Sequence, residues 1–370
     1  MILGVSAEQE ELRASVRRFL ADRAPMSRVR ELMDGGETDW AVWEQAGTQL
    51  GLQGLAIPES YGGAGFSFAE QAVVLEEFGA ALYGGPYLAS AVLAATALLA
   101  SPDEGARRGL LPDIASGQTV ATLAFAEDGG SWDPAAIRLS AVKDGEAWRL
   151  DGHKSFVLDG ATAGLILVVA TTDAGLSLFA VEGDAAGLGR AALPALDQTR
   201  QLARLEFAGV TGRLIGSPGD GAAALDRALD VAAVALAAEQ LGGAQRALDM
   251  AVEYAKVRRQ FDRPIGSFQA IKHRCADLLL EVESLRSAVG YAAAAVAEDS
   301  AEIPVLASLV KAYASETYFH VAAENIQIHG GIGFTWEHDA HLYFKRAKST
   351  QLFLGDGNYH RDHLATRIGL

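Results

Sequence analysis

Several things are scarce in this 370-residue chain, and each scarcity excludes something. Cysteine occurs once, as Cys275, so no intrachain disulfide and no multi-cysteine metal site is available. A reducing, cytoplasmic setting is the expectation. Basic residues are outnumbered, with 31 Lys+Arg against 47 Asp+Glu and a formal charge of −16. Nucleic acid and anionic membrane surfaces both call for net positive surface, so neither is the main partner. Long apolar runs are also missing. The longest, Tyr87–Ala100, falls short of the roughly 18–20 residues that span a bilayer, and Ser90 and Thr96 interrupt it. It reads as a buried helix. The start, Met-Ile-Leu-Gly-Val-Ser followed by Glu8, Glu10 and Glu11, lacks the basic and apolar stretches of a secretory signal. No Gly-x-Ser-x-Gly, P-loop or His-Glu-x-x-His pattern occurs, which leaves an esterase elbow, a phosphate loop and a zinc-protease site unsupported.

What is present is a globular composition, 50% hydrophobic and 21% charged. Residues 5–115 read as helices with short breaks. Ser6 is a candidate N-cap ahead of an acidic first turn. The glycine-rich segment Gly51–Gly65 separates two helices, and residues 67–78 are helical again with Glu76 and Glu77 facing out. The character changes near Pro112. From Thr119 to about Phe207 the pattern alternates, with strand candidates at 136–139, 148–150, 154–158, 165–170 and 176–181. Asp144-Gly145, Asp151-Gly152 and Asp159-Gly160 mark expected tight turns. From Ala222 onward helical periods return over 222–256, 268–298, 303–328 and 336–352. The expected architecture is α+β, with an N-terminal helical domain (1–117), a middle β domain that is a small barrel or sandwich (118–216) and a C-terminal four-helix bundle (217–370).

Two segments carry candidate chemistry. Between Glu253 and Arg274 lie six basic residues (Lys256, Arg258, Arg259, Arg263, Lys272, Arg274) and two acidic ones (Glu253, Asp262). Such a cluster complements a helix C-terminus, and on an acidic protein it also steers phosphate-bearing ligands. Arg258 with Gln260 offers forked donors for a pyrophosphate. The second segment, Gln327-Ile-His-Gly-Gly-Ile-Gly-Phe-Thr-Trp336, is either a helix-ending turn or a place of close backbone approach to a ligand. His338, His341, His360 and His363 invite a metal reading, with His360 and His363 on one helix face. No cysteine joins them, so surface or interface histidines are the expectation and no metal is assigned.

In this order the segments resemble the acyl-CoA dehydrogenase family over essentially the whole chain. The resemblance rests on Gly51–Gly65 (Gly-Leu-x-Gly-Leu-Ala-Ile-Pro-Glu-x-Tyr-Gly-Gly-x-Gly), Glu76–Glu77, Ala124–Ser131, Tyr254–Gln269, Gln327–Phe334 and Lys345-Arg-Ala-Lys348. It implies that the middle domain is a β-barrel, and it implies FAD with its ring between the β domain and the bundle and with its adenosine-pyrophosphate end held by a neighbouring subunit. It implies a carboxylate that takes the acyl-CoA α-proton as hydride leaves to the flavin, electron transfer flavoprotein as acceptor, and a tetramer. Arg258, Gln260, Phe261, Phe268, Gln269, Gln327, Gly330 and Gly331 match the segments that reach a neighbour's FAD. Phe156 matches the flavin-facing position.

The departures from the family are specific. Its C-terminal Tyr-Glu-Gly-Thr is Phe353-Leu-Gly-Asp356, so Leu354 stands where the base belongs. The alternative base position and its Arg neighbour are Ala232 and Ala233. The flavin-facing Trp-x-Thr is Phe156-Val-Leu158, and Thr-Glu-Pro is Ala126-Glu-Asp128. Phosphate-end residues are kept and ring-end residues are lost. Three readings stay open. The chain is the subunit without the Glu in a heteromeric, steroid side-chain type acyl-CoA dehydrogenase, and it completes the FAD site of a Glu-bearing partner. It is an active homo-oligomer with a base relocated to Asp356 or Asp230, although a shift of two residues turns Asp230 by about 200° on the helix. Or it is a paralogue that only binds a partner or an acyl chain.

Overall fold

The computed structural model describes residues 6–35, 38–145 and 147–370. The reading of the first five residues therefore lies outside the described part. The chain opens with α1 (Ala7–Arg23), α2 (Met26–Gly35) and α3 (Trp40–Leu50). Ser6 caps α1 as expected, in a capping box closed by Gln9. Gly51 ends α3 in the left-handed region at φ 63. Then follow α4 (Phe68–Ala80), a buried π-helical stretch Leu88–Ala94 continuing into α5 (Ala95–Ala100), and α6 (Glu104–Ala115). The apolar segment 87–100 is thus a core helix, as its length implies.

Seven strands follow: β1 (Ala121–Ala124), β2 (Ser140–Asp144), β3 (Ala147–Leu158), β4 (Leu165–Thr172), β5 (Gly175–Glu182), β6 (Leu188–Leu193) and β7 (Leu202–Ile215). The pairings β4–β2–β3–β7–β5 return to β4, so the sheet closes on itself, and β1 and β6 are added outside that ring. Closure pairs the ring strands on both sides and, among the described residues, leaves only β1 and β6 with a single partner. Two expectations need correction. Residues 136–139 are not a strand, because Pro134–Ala136 is a 3-10 turn and the strand begins at Ser140. Asp151-Gly152 is not a turn. It lies inside β3, where a register shift between Leu150 and Asp151 absorbs the glycine at φ 135.

The helical part comprises α7 (Gly221–Val257), a short hairpin of β8 (Arg259–Gln260) and β9 (Arg263–Pro264), α8 (Gln269–Ala297), α9 (Ile303–His329), α10 (Ala340–Leu352) and α11 (Gly357–Arg367). The element order helices, barrel, helices is the expected one. The fifth C-terminal helix, α11, was not expected, since residues 357–367 carry little apolar periodicity. The chain divides into two compact units. One is Met1–Glu31, Phe68–Tyr83 and Ala233–Leu370, and the other is Leu32–Ser67 and Gly84–Ala232.

Within the first unit α4 and α7 pack backbone to backbone. A Cβ on Gly242 would lie 1.7 Å from Glu76 O, and one on Gly79 would lie 1.9 Å from Glu239 O. The expectation that Glu76 and Glu77 face out is overturned. Glu77 is buried and binds Arg13 and Arg17, while Glu76 binds Arg13 and Arg286. The carboxylates are drawn inward by arginines from α1 and α8 that a local reading of α4 does not see.

Candidate functional site

The basic segment folds as a projecting hairpin. α7 ends at Val257, and Arg258 N donates to Tyr254 O at 2.8 Å. Arg259 then pairs with Pro264 and Gln260 with Arg263. The two turn residues, Phe261 and Asp262, both take left-handed φ, 51 and 61. Asp tolerates that region, whereas for Phe it is strain held by the hairpin. The effect is to push the Phe261 ring outward, 86% exposed. Arg263 lies 4.0 Å over the Phe268 ring, and Phe261 meets the same ring edge-on at 6.1 Å. Arg259 donates to the Asp262 carbonyl, and Arg274 pairs with Glu324 at 2.9 Å. The Arg258 guanidinium is exposed and, among the described residues, has no partner. Gln269, also exposed, opens α8.

The glycine turn lies beside this hairpin. Gln327 is exposed in the last turn of α9, and Gly330 ends the helix at φ 64. A Cβ on Gly330 or Gly331 would meet nothing within 4 Å, so the backbone there is open. The ring of Tyr254, one turn before the hairpin, stacks on His329 at 4.2 Å. That contact brings the two segments together.

The turn after α10 holds Leu354 at φ 61 with its side chain buried. Lys311, fully buried on α9, donates from Nζ to Gly355 O at 2.9 Å, Ser315 Oγ at 2.9 Å and Gln351 O at 3.3 Å. Burial pulls its ammonium down to about 7. His360 Nε2 lies 2.9 Å from Leu354 O, and burial lowers its pKa to about 3. The imidazole is therefore neutral and donates. Asp356 accepts from Asn358 N at 3.0 Å and Tyr359 N at 2.9 Å, so its carboxylate caps α11. Ala232 and Ala233 are buried alanines with no chemistry to offer.

A cavity of about 550 Å³ in this unit is lined by α1, α4, α7 and α10. Its carboxylates are all engaged. Glu76 and Glu77 hold arginines, Asp249 accepts from Gln245 at 2.9 Å, and Asp339 binds Arg30 at 2.6 Å. No unpaired base sits there among the described residues. His338 and His341, from the histidine set, flank Asp339, and no metal-holding group of His, Cys, Asp and Glu occurs among the described residues.

In the other unit, Phe156 bulges from β3 at φ 57 and is half-buried. It belongs to an aromatic row: Phe125 to Trp132 at 5.9 Å, and Trp132 to Phe156 at 6.1 Å. Thr122 Oγ1 is spent on Leu158 O at 2.6 Å. Lys154, buried, donates to Phe125 O and Glu127 Oε1, both at 2.9 Å. Asp128 accepts from Ser155 Oγ and from Arg204 Nε at 3.0 Å, and His153 Nε2 lies 3.1 Å from its carboxylate. The Arg204 guanidinium, then the Ser155 hydroxyl, hold the Asp128 carboxyl down at about 2. The sequence did not single out Lys311 or Trp132, and it raised His360 only as a candidate metal ligand. A lysine inside an apolar helical run was the one available signal for Lys311.

Helical and barrel layers in this order, with a projecting basic hairpin, define a class. Three family models match in turn: acyl-CoA dehydrogenase N-terminal domain over residues 6–118, middle domain over 122–210 and C-terminal domain over 219–369. The chain belongs to the acyl-CoA dehydrogenase family, FAD-dependent oxidoreductases acting on a CH–CH bond. It is 37% identical to acyl-CoA dehydrogenase IpdE2 of Mycobacterium tuberculosis over 94% of this chain and 93% of that one. Among solved structures it is similar to the ChsE4-ChsE5 complex from Mycobacterium tuberculosis, with 31% identity, a TM-score of 0.90 and coverage of 100% and 99%. It is also similar to the Tcur3481-Tcur3483 steroid ACAD, with 34% identity, a TM-score of 0.89 and coverage of 99% and 98%. No helix among the described residues is long and apolar enough to cross a membrane.

FAD fits this chain at one end only. The exposed, unpaired Arg258 and the open Gly330–Gly331 backbone suit phosphates. Ala126, Phe156 and Leu158 bring no hydrogen-bond donor side chain, so the β unit does not suit the polar edge of a flavin ring.

Proposed function

We propose that this chain is the subunit without a base in a heteromeric acyl-CoA dehydrogenase, and that it completes the FAD site of a homologous, Glu-bearing partner. The observation that carries the reading is the turn at residues 353–356. The position of the usual base is a buried leucine, and the nearest carboxylate, Asp356, is committed to capping α11. That same commitment argues against the homo-oligomer with Asp356 as base. Bound FAD supplies the hydride acceptor for α,β-desaturation of the acyl-CoA thioester. This chain's contribution is binding and orientation. The Arg258 guanidinium holds the pyrophosphate, the Gln260, Gln269 and Gln327 amides add donors, and Phe261 and Phe268 offer ring faces to the adenine end. Gly330 and Gly331 admit the phosphates close to the backbone. Taking the α-proton falls to the partner's carboxylate.

The similar structure named as a steroid ACAD supports a bulky, polycyclic acyl-CoA as substrate, and the two-chain names of that structure and of the ChsE4-ChsE5 complex support an assembly of two kinds of chain; a closed, symmetric tetramer is the proposed form. Electron transfer flavoprotein is the proposed acceptor, and the single cysteine fits a cytoplasmic setting. The test is expression of the chain alone and with a homologue that carries the Glu, measuring bound flavin and dehydrogenation of acyl-CoA. Activity only on co-expression is expected. Full activity from the pure homo-oligomer sinks the reading.

A further inference from the structure

We propose that Trp132 closes the β unit of this chain to a flavin ring, so that the chain gives phosphate contacts to its partner's cofactor and keeps no ring site of its own. The inference rests on the heteromeric reading and assigns a residue to it. The loop after β1 is fixed on both sides of Trp132. Glu127 Oε1 accepts from Lys154 Nζ at 2.9 Å, Arg138 N at 2.8 Å and Leu139 N at 2.7 Å. Asp128 is tied to Ser155 on β3 and Arg204 on β7. Beyond the tryptophan, Asp133 N donates to Ser131 Oγ at 3.2 Å, and Asp133 Oδ1 accepts from Ala135 N at 2.8 Å. A loop staked this way delivers the indole between Phe125 and Phe156. A planar ring stacking on Phe156 from that side meets Trp132 first. The hydroxyls at hand are committed as well, Thr122 to Leu158 O and Ser155 to Asp128. An isoalloxazine edge, all carbonyls and ring nitrogens, finds no free hydroxyl donor there.

The test uses the full chain co-purified with its Glu-bearing homologue, and flavin is counted per chain by absorbance after release. Restoring hydroxyls with Ala126→Thr and Leu158→Thr while Trp132 stays is expected to leave the flavin count unchanged. Adding Trp132→Ser is expected to raise it about two-fold as a second pocket opens, while adding Trp132→Phe leaves it unchanged. Lumiflavin, which has no phosphate, is the second probe. It should quench on binding the Trp132→Ser full chain and not the wild type. A rise before Trp132 is changed, or no rise after Trp132→Ser, overturns the proposal. A wild-type complex holding one flavin on every chain overturns it whether or not the variants fold. Failure of the heteromeric reading looks different, because the pure homo-oligomer would then retain flavin and dehydrogenate acyl-CoA with no partner present.

Discussion

His360 Nε2 donates to the carbonyl of Leu354 at 2.9 Å, across a turn whose leucine sits in the left-handed region. The imidazole stays neutral, because burial, with the Lys311 ammonium adding to it, holds the folded pKa near 3 against an ordinary 6.5. Between those values the unfolded chain takes up a proton that the folded chain refuses. The His360 contribution is therefore intact above pH 6.5 and is lost as pH falls toward 3. At pH 5 the loss comes to about 2 kcal/mol. His360→Gln keeps a donor and removes the titration. Urea midpoints of wild type and variant, measured at pH 7.5 and pH 5, should draw together or cross in favour of the variant at acid pH. Parallel shifts would show that His360 is not the titrating group.

Glycines inside helices have opposite meanings at two positions. Gly242 on α7 faces the backbone of α4, where an added Cβ falls 1.7 Å from Glu76 O. Gly290 on α8 is exposed and has nothing within 4 Å. Gly242→Ala should destabilise the chain by at least the roughly 1–3 kcal/mol of overpacking, because backbone rather than a side chain must move. Gly290→Ala should stabilise it by roughly 0.5–1 kcal/mol through helix propensity alone. Thermal unfolding of the two variants checks the sign of each.

The contrast shows where the sequence was legible. Element order, the β character of the middle domain and the core helix at 87–100 followed from periodicity and turn signals, while closure of the sheet into a barrel rests on pairings that no local pattern marks. Asp151-Gly152 misled because a glycine that looks like a turn also serves a bulge, and the pairing of β3 with β7 decides between them. Glu76 and Glu77 misled because their arginines lie about sixty or more residues away in sequence, on α1 and α8. At the site, Arg258 and the glycine turn were readable as residue types, while their meeting through Tyr254 and His329 was not. Trp132 escaped because its importance is the space it fills, and no local pattern marks that.

Glu239 and Arg346 form a buried pair at 2.7 Å between α7 and α10, with side chains 6% and 1% exposed. Removing one member leaves the other charged and dry. Arg346→Met should cost roughly 3–5 kcal/mol, while adding Glu239→Gln to it should recover part of the loss. A double-mutant cycle on denaturant midpoints reads the coupling. Additive losses would mean that the pair is not a unit.

The phosphate role of Arg258 makes a prediction that separates charge from shape. The guanidinium is exposed and unpaired among the described residues, so replacing it breaks no internal contact and should leave the unfolding midpoint of the chain within about 0.5 kcal/mol of wild type. In the assembled complex, Arg258→Ala should release FAD on gel filtration. The lost charge-assisted bonds are worth about 1.5–3 kcal/mol, roughly a ten- to hundred-fold weakening. Arg258→Lys keeps the charge without the planar fork, so it should fall between the two. Wild-type retention should weaken with added salt more steeply than retention in Arg258→Ala, because the arginine's share of binding is the screened one. Equal salt dependence in wild type and Arg258→Ala would mean that the guanidinium does not face a phosphate.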